Sequence, residues 1–480
     1  MSTLSSPPSP LPAEPDVKRP RQLNVLPATD DIVSSLASDG HRRFVYPADV
    51  KGRFTWLRRG VFAALIALWI ALPLVTIGDH PALFLDVVHR RFYVFGQTFN
   101  AQDVWLMFFV LTGIGFGLAF LTSLLGRVWC GYACPQTVFL ESLFRPIERL
   151  IEGNRDQRIR RDRGPWNLDK TWRKLVKHVL FLAAAFAVSH IMLSFFVSMP
   201  AMLQMVRRSP SEHPEAFAWA TAVTVILYGN FAWFREQLCL IVCPYGRLQS
   251  VLFDEDSLII GYDKKRGEPR GKASEKDKGD CVDCKRCIAV CPTGIDIRNG
   301  LQLDCVACAA CVDACDEIMD KLKRPRGLVR YDSQRGLSGE KRRLWRPRMG
   351  IYAVLGAAGL TAASIAVTSR SGFEATMLRE KGAPYVVEGD SVRNSFSLHL
   401  VNKEGAAESI RLDPEPSDGL SFVLSDSEVT LDSLADTRVR IVVVGEKGKY
   451  GGDKPFQIQV TRTSDGQKKT VKSRFVGPGG

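Results

Sequence analysis

At 480 residues the chain exceeds one ordinary domain. Its residues are 46% apolar and 24% charged, and the two kinds are segregated into long runs, which excludes a uniformly soluble globule. The net charge of +13 would suit nucleic-acid binding, but the basic residues flank apolar segments and no aromatic-interleaved basic module is present, so no nucleic-acid partner is expected.

Residues 1–40 are rich in Pro and Ser, carry too little apolar surface to order, and read as a disordered tail. No cleavable signal peptide is visible before the first apolar run, which begins near residue 60. A membrane-crossing helix needs about 20 apolar residues. Within a membrane domain at 41–250, four segments qualify: 60–78, 103–125, 178–198 and 216–235, the last containing Asn230. A cysteine-rich, ferredoxin-type region follows at 251–330. A fifth span at 350–369 is rich in small residues and weakly hydrophobic, as a helix held by a partner helix would be. Residues 370–480 alternate in short runs such as SFSLHLV, RVRIVVV and FQIQV between turn sequences such as PSDG and TSDG. About seven strands in that length read as a C-terminal immunoglobulin-like β-sandwich, with another small sandwich as the alternative.

Lys and Arg number 12 in residues 126–177 and 22 in 236–349, against two each in 79–102 and 199–215. Basic loops belong on the cytoplasmic side of a bacterial inner membrane. That puts the N-terminus and the ferredoxin-type region in the cytoplasm and residues 370–480 in the periplasm.

All 12 cysteines fall in tight groups between residues 130 and 315, unlike a disulfide framework, which spreads its cysteines through a small secreted domain. Residues 281–292 read CVDCKRCIAVCP and residues 305–316 read CVACAACVDACD. Both have C-x2-C-x2-C-x3-C spacing, and only the first ends in Pro. In two-cluster ferredoxins the fourth cysteine of each motif serves the other cluster. Cys281, Cys284, Cys287 and Cys315 are therefore expected to hold one 4Fe–4S cluster, and Cys291, Cys305, Cys308 and Cys311 the second. Four thiolates also suit zinc, but two tandem copies at this spacing favour clusters. Lys285, Arg286 and Arg298 would offset the negative cluster charge, although solvated surface is the plainer reading.

A second constellation is C-x3-C-P, repeated at 130–135 (CGYACP) and 239–244 (CLIVCP). On a helix, positions i and i+4 share a face, so each pair can present two sulfurs together. Both pairs follow an inward-running span. If they converge, Cys130, Cys134, Cys239 and Cys243 form a four-thiolate site suited to Cu(I), zinc or iron–sulfur; two unrelated pairs of buried thiols are the alternative. His190, inside the third span, is a functional candidate or a hydrogen bond to a neighbouring helix. Met192, Met199, Met202 and Met205 could ligate Cu(I), but methionines at helical spacing more often fill packing gaps.

With RRFVYPADVKGRF (42–54), WCGYACPQTVFLE (129–141), REQLCLIVCPYGRLQS (235–250) and the tandem cluster motifs of 281–321 in this order, the sequence resembles the CcoG/FixG (Rdx) family of cytochrome c oxidase accessory proteins. The resemblance implies a five-span protein with a polyferredoxin domain and an immunoglobulin-like domain. It implies a role in maturation of cbb3-type oxidase and a cupric reductase activity, Cu(II) to Cu(I). On that reading the eight ferredoxin-type cysteines conduct electrons from a donor that the sequence does not name. The four C-x3-C-P cysteines handle copper and pass it to a copper transporter or chaperone. The C-x3-C-P pairs also look like those of membrane-bound ferredoxins of the periplasmic nitrate reductase system. Quinol oxidation without copper chemistry is thus an alternative, and a scaffold for oxidase assembly is another.

Overall fold

The computed structural model describes residues 44–478, apart from 78–79, 101–102, 276 and 447–452, and the tail expected at residues 1–40 lies outside the described residues. Five helices are long and apolar enough to cross a membrane: α1 (Arg53–Leu74), α2 (Trp105–Leu125), α3 (Leu168–Leu193), α4 (Pro214–Gly229, continued by a wide turn over Asn230–Phe234) and α5 (Pro347–Thr368). α1 starts at Arg53 rather than at residue 60. Its first turn is polar, and a carboxylate far along the chain caps it: Phe54 and Thr55 donate their amides to Asp313 at 3.2 and 2.7 Å, and Thr55 Oγ1 donates at 2.7 Å. α3 likewise begins at Leu168 rather than at 178, because LDKTWRKLVK is helical without being apolar. The chain forms two compact units, residues 1–65, 121–184 and 227–344 in one, and residues 66–120, 185–226 and 345–480 in the other.

In the first unit, strands Ile259–Tyr262 and Val329–Asp332 pair antiparallel beside helix Ala310–Lys321. Their core gathers Ile260, Ile288, Val290, Ile297, Val312 and Leu328 around buried cysteines. A smaller core is aromatic, with Phe144 stacked on Phe231 at 4.3 Å and meeting Phe181 edge-on at 5.1 Å. Next to it lies a buried ionic knot. Glu148 accepts from Arg235 through both oxygens, at 2.8 and 3.1 Å, and from Arg158 at 3.3 Å. All three side chains are at most 2% exposed. Arg235 also stands over the Phe44 ring and takes φ +53°, a left-handed backbone unusual for arginine. Asn230, the polar residue in the fourth span, exchanges hydrogen bonds with Gln136, whose amide also donates to the Arg235 carbonyl.

In the second unit α2 and α5 meet through glycines. A Cβ on Gly359 would lie 2.8 Å from the Gly113 nitrogen, and one on Gly356 would lie 3.2 Å from the Gly117 nitrogen. Small residues allow this backbone approach, so α2 is the partner helix expected for α5, although α5, with a mean hydropathy of 1.8, is no less apolar than α1, α3 or α4. Beyond α5 the chain forms a β-sandwich of β1 (Phe373–Arg379), β2 (Val386–Glu388), β3 (Ser391–Asn402), β4 (Glu408–Pro414), β5 (Leu420–Leu424), β6 (Glu428–Leu431), β7 (Asp436–Glu446), β8 (Lys454–Arg462) and β9 (Lys468–Phe475). One sheet has the order β5-β7-β3-β1 with β2 against β3, and the other has β6-β4-β8-β9. Alternate residues of β3 (Phe396, Leu398, Leu400) and β8 (Phe456, Ile458, Val460) face the shared core, the pattern expected of a sandwich.

Two predictions follow from the packing. Gly359→Leu would overpack the α2–α5 contact, at a cost of about 1–3 kcal/mol, read as a lower thermal midpoint of the detergent-solubilised protein. Glu148→Gln would leave Arg158 buried without its anion and Arg235 with only Glu236, 3.8 Å away, and cost about 3–5 kcal/mol. Burial opposes ionisation of Glu148, but Arg235 and its other cationic neighbours outweigh it and hold the carboxyl below its ordinary value of 4.5. The stability gap between wild type and variant should therefore be full above that value and shrink as pH falls through the lower folded-state one.

Candidate metal centre

Each ferredoxin-type motif bends at the same two places. The residues flanking its second cysteine are left-handed: Asp283 and Lys285 at φ +48° and +55°, Ala307 and Ala309 at +51° and +58°. Such turns bring successive backbone N–H groups to one side, as at many iron–sulfur and phosphate sites. The amides of Ala307 and Ala310 aim at the sulfurs of Cys305 and Cys308.

Two cavities lie inside these loops. One is lined by Cys281, Cys284, Cys287 and Cys315 with Tyr262 and Met319. The other is lined by Cys291, Cys305, Cys308 and Cys311 together with Cys287. Helix Ala310–Lys321 thus sends Cys311 to one cavity and Cys315 to the other. Neither lining includes a carboxylate, and the second is sulfur and hydrocarbon apart from Thr293. Among the described residues no three His, Cys, Asp or Glu side chains close on a single point as one ion would require. Thiols ranged around open space fit a polynuclear cluster better than zinc.

Charge supports the same fit. Arg58 and Arg127 are both buried, yet among the described residues neither pairs with a carboxylate. Arg58 donates to the Gly131 carbonyl at 3.1 Å, while Arg127 donates to the carbonyls of Leu303 and, at 2.7 Å, Gly246. Among the described residues Arg58 Nη2 and Arg127 Nε have no hydrogen-bond partner. A buried cation without an anion is costly; a set of cysteinates would supply one. Burial pushes the Cys305 and Cys315 thiols up to about 12 and raises Cys287, Cys308 and Cys311 as well, while Arg127 and Arg58 work against it at Cys305 and Cys308. The thiolate is the ligand form, so filling these sites would expel protons.

The solvated-surface reading fails for Arg298. It is 5% exposed and bound by both oxygens of Asp296 and by Asp283. Lys285 is exposed, and the half-buried Arg286 donates to the Asp49 carbonyl.

The C-x3-C-P pairs do not lie on continuous helices, contrary to the i,i+4 expectation. Cys130 sits in the short helix Val128–Tyr132, whereas Cys134 is extended and precedes helix Pro135–Phe139. Cys239 lies in the wide turn Leu238–Val242, and Cys243 is extended before helix Pro244–Leu252. Proline forces the residue before it out of the helical region, so the P of each motif ends one helix and starts the next. The four thiols nevertheless lie near enough to act on one another, although no three of them close on a single point. Burial pushes Cys239 up to about 12, with Cys134, Cys130 and Cys243 adding to it, and Cys130 up to about 11, with Cys134 and Cys243 adding. The fully buried Gln249 brings its amide nitrogen to 3.5 Å from Cys130 Sγ. Cys130 packs against the core that holds the cluster-motif cysteines. Its neighbour Gly131 touches the second motif directly: a Cβ there would lie 2.8 Å from the carbonyl oxygens of Val306 and Ala307.

Models of known families match three stretches: a 4Fe–4S binding domain at 106–154, a 4Fe–4S dicluster domain at 234–334, and an immunoglobulin-like fold at the C-terminus of FixG at 363–478, whose description assigns FixG provisionally to the oxidoreductases. Protein RdxA of Cereibacter sphaeroides is 34% identical over 422 residues, 84% of this chain and 90% of its own length. The nitrogen fixation protein FixG of Rhizobium meliloti is 32% identical over 495 residues, 91% and 93% of the two chains. The chain belongs to the FixG/Rdx family. RdxB of Cereibacter sphaeroides is 34% identical over 85% of this chain and 90% of its own. Among solved structures, a FixG-related protein from Vibrio parahaemolyticus aligns with 23% of this chain and 99% of its own at 17% identity and a TM-score of 0.21. As a FixG/Rdx protein, the chain is an iron–sulfur protein of the membrane.

The first unit holds all 12 cysteines. His190 and the methionine group lie in the other unit. His190 Nδ1 lies 2.9 Å from the carbonyl oxygen of Phe186, one turn back in its own helix, so this contact is not one between helices. Met202 is buried in helix Met199–Arg207, and Met192 is exposed. Sequence reasoning passed over Arg58, Arg127 and Gln249. Arg127 counted only as a topology signal, although an arginine at the end of an apolar span and just before Cys130 carries a legible hint; Arg58 is far from every cysteine in sequence and carried none. Gly131→Val should overpack the contact with the second motif by about 1–3 kcal/mol. The expected result is inserted protein with less iron per chain than wild type, measured by metal analysis and visible absorbance.

Proposed function

We propose that this FixG/Rdx protein is a membrane-bound one-electron reductase with Cu(II) as its substrate, serving copper delivery to cbb3-type oxidase. In this reading Cys281, Cys284, Cys287 and Cys315 hold one 4Fe–4S cluster, and Cys291, Cys305, Cys308 and Cys311 hold the other. Such clusters supply one-electron transfer when bound. The carrying observation is the packing of the C-x3-C-P region against the second motif through Cys130 and Gly131, with the other three thiols near Cys130. Cys130, Cys134, Cys239 and Cys243 bind and orient the copper, since soft thiolates suit Cu(I). Gln249 orients Cys130. Cu(II) plus one electron gives Cu(I), with no bond broken and no proton transferred, so no general acid or base is needed. The positive-inside rule puts the cysteine sites in the cytoplasm and the β-sandwich in the periplasm of a bacterial inner membrane. The Cu(I) would pass to a copper transporter or chaperone.

A second reading has one observation in its favour. The 4Fe–4S binding domain model covers 106–154, where the only cysteines are Cys130 and Cys134. Iron–sulfur at the C-x3-C-P thiols, in an electron-transfer chain without copper chemistry, would account for that match.

The test uses the full chain purified anaerobically in detergent, reduced with dithionite, desalted and mixed with Cu(II). Reoxidation of the iron–sulfur absorbance should match the Cu(I) captured by a specific chelator. Cys130→Ala and Cys239→Ala should each abolish Cu(I) formation at unchanged iron content. Loss of iron in these variants, or indifference of the wild type to Cu(II), selects the second reading.

A further inference from the structure

The two cysteine cavities differ in how their cations are neutralised. At the first, the buried Arg298 is held by Asp296 and Asp283. Lys285 is exposed, where water and salt screen its charge. Cys284 is exposed as well. At the second, Arg58 donates to the carbonyl of Gly131, the residue that packs on the Val306 and Ala307 carbonyls, and Arg127 donates to the carbonyl of Leu303, two residues before Cys305. Both guanidiniums are 7% exposed, and both meet carbonyls rather than carboxylates. The nearby Arg145 contributes less net charge. It donates to the Pro292 carbonyl at 2.9 Å, but Glu141 pairs with it. Unscreened, unneutralised cations in a low-dielectric surrounding favour added negative charge far more than paired or solvated ones do. Burial disfavours that charge at both sites; at the second, Arg127 and Arg58, the latter partly offset by Glu141, oppose the penalty, while at the first Arg298 opposes it with a charge already clasped by two aspartates.

We infer that Arg58 and Arg127 are positioning residues that make the Cys291/Cys305/Cys308/Cys311 site the higher-potential one, so that an electron entering at the exposed Cys281/Cys284/Cys287/Cys315 site comes to rest beside the C-x3-C-P thiols. One site loses an electron as the other gains it, and no proton or bond is involved. The inference rests on the ligand assignment proposed above and deepens it: these two side chains set the direction of flow, and the cysteines provide the sites.

The test is an EPR-monitored redox titration of the full chain in detergent. Wild type should show two 4Fe–4S signals with separate midpoints. Cys308→Ser should alter the line shape of the signal that appears first on reduction, and Cys284→Ser the one that appears second. The reverse order overturns the inference and needs no arginine variant. Arg58→Gln and Arg127→Gln should each lower the first midpoint by at least a tenfold change in reduced-to-oxidised ratio, about 59 mV for one electron, and leave the second in place. Arg58→Lys and Arg127→Lys, which keep the charge, should retain most of the first midpoint. Equal movement of both midpoints, or of neither, refutes the electrostatic role. Absence of two 4Fe–4S signals in the wild type would instead refute the ligand assignment.

Discussion

A single carboxylate joins the iron–sulfur region to the membrane. Asp313 lies between Cys311 and Cys315, and its two oxygens cap the first turn of α1. The approach is so close that a side chain on Gly52 would put its Cβ 2.2 Å from the Asp313 carboxyl carbon. Helix N-termini leave amides that must find acceptors, and here the acceptor comes from the helix that lines both cysteine cavities. The start of the first span and the placement of eight cysteines are therefore one problem with one solution. Arg58, one turn into the same helix, then points its charge at the second motif because the cap has fixed the helix end.

The rest of the first unit manages buried charge. Glu148 gathers Arg158 and Arg235, Arg298 is clasped by two aspartates, and Arg145 is shared by Glu141 and Glu236. Against this thorough pairing, the unpaired state of Arg58 and Arg127 carries information. A fold that neutralises its other buried guanidiniums with carboxylates leaves these two for something anionic that the cysteines hold.

Much of this was legible in the sequence. Cluster ligands must recur at fixed spacing, and apolar spans must reach a minimum length, so both patterns survive in one dimension. Other features needed the third dimension. The capping residue of α1 is 259 positions from Phe54, and nothing local marks it. The break inside each C-x3-C-P pair was readable, because Pro135 and Pro244 exclude a helical residue before them, but a rule for continuous helices hid it. The salt bridge of Arg298 was also within reach, since Asp296 is two residues away. Strand β1 escaped because Met377 and Leu378 stand side by side and blur its alternation. That Arg58 and Arg127 form no ion pair among the described residues could not be read at all, since it depends on where the fold puts every carboxylate.

The four left-handed residues of the cysteine loops have an energetic consequence. Asp283, Lys285, Ala307 and Ala309 hold conformations that cost of order 1–3 kcal/mol each. Such tension persists only where the surrounding structure over-determines it, so the loops give up stability to hold their backbone amides where the cysteine sulfurs can use them.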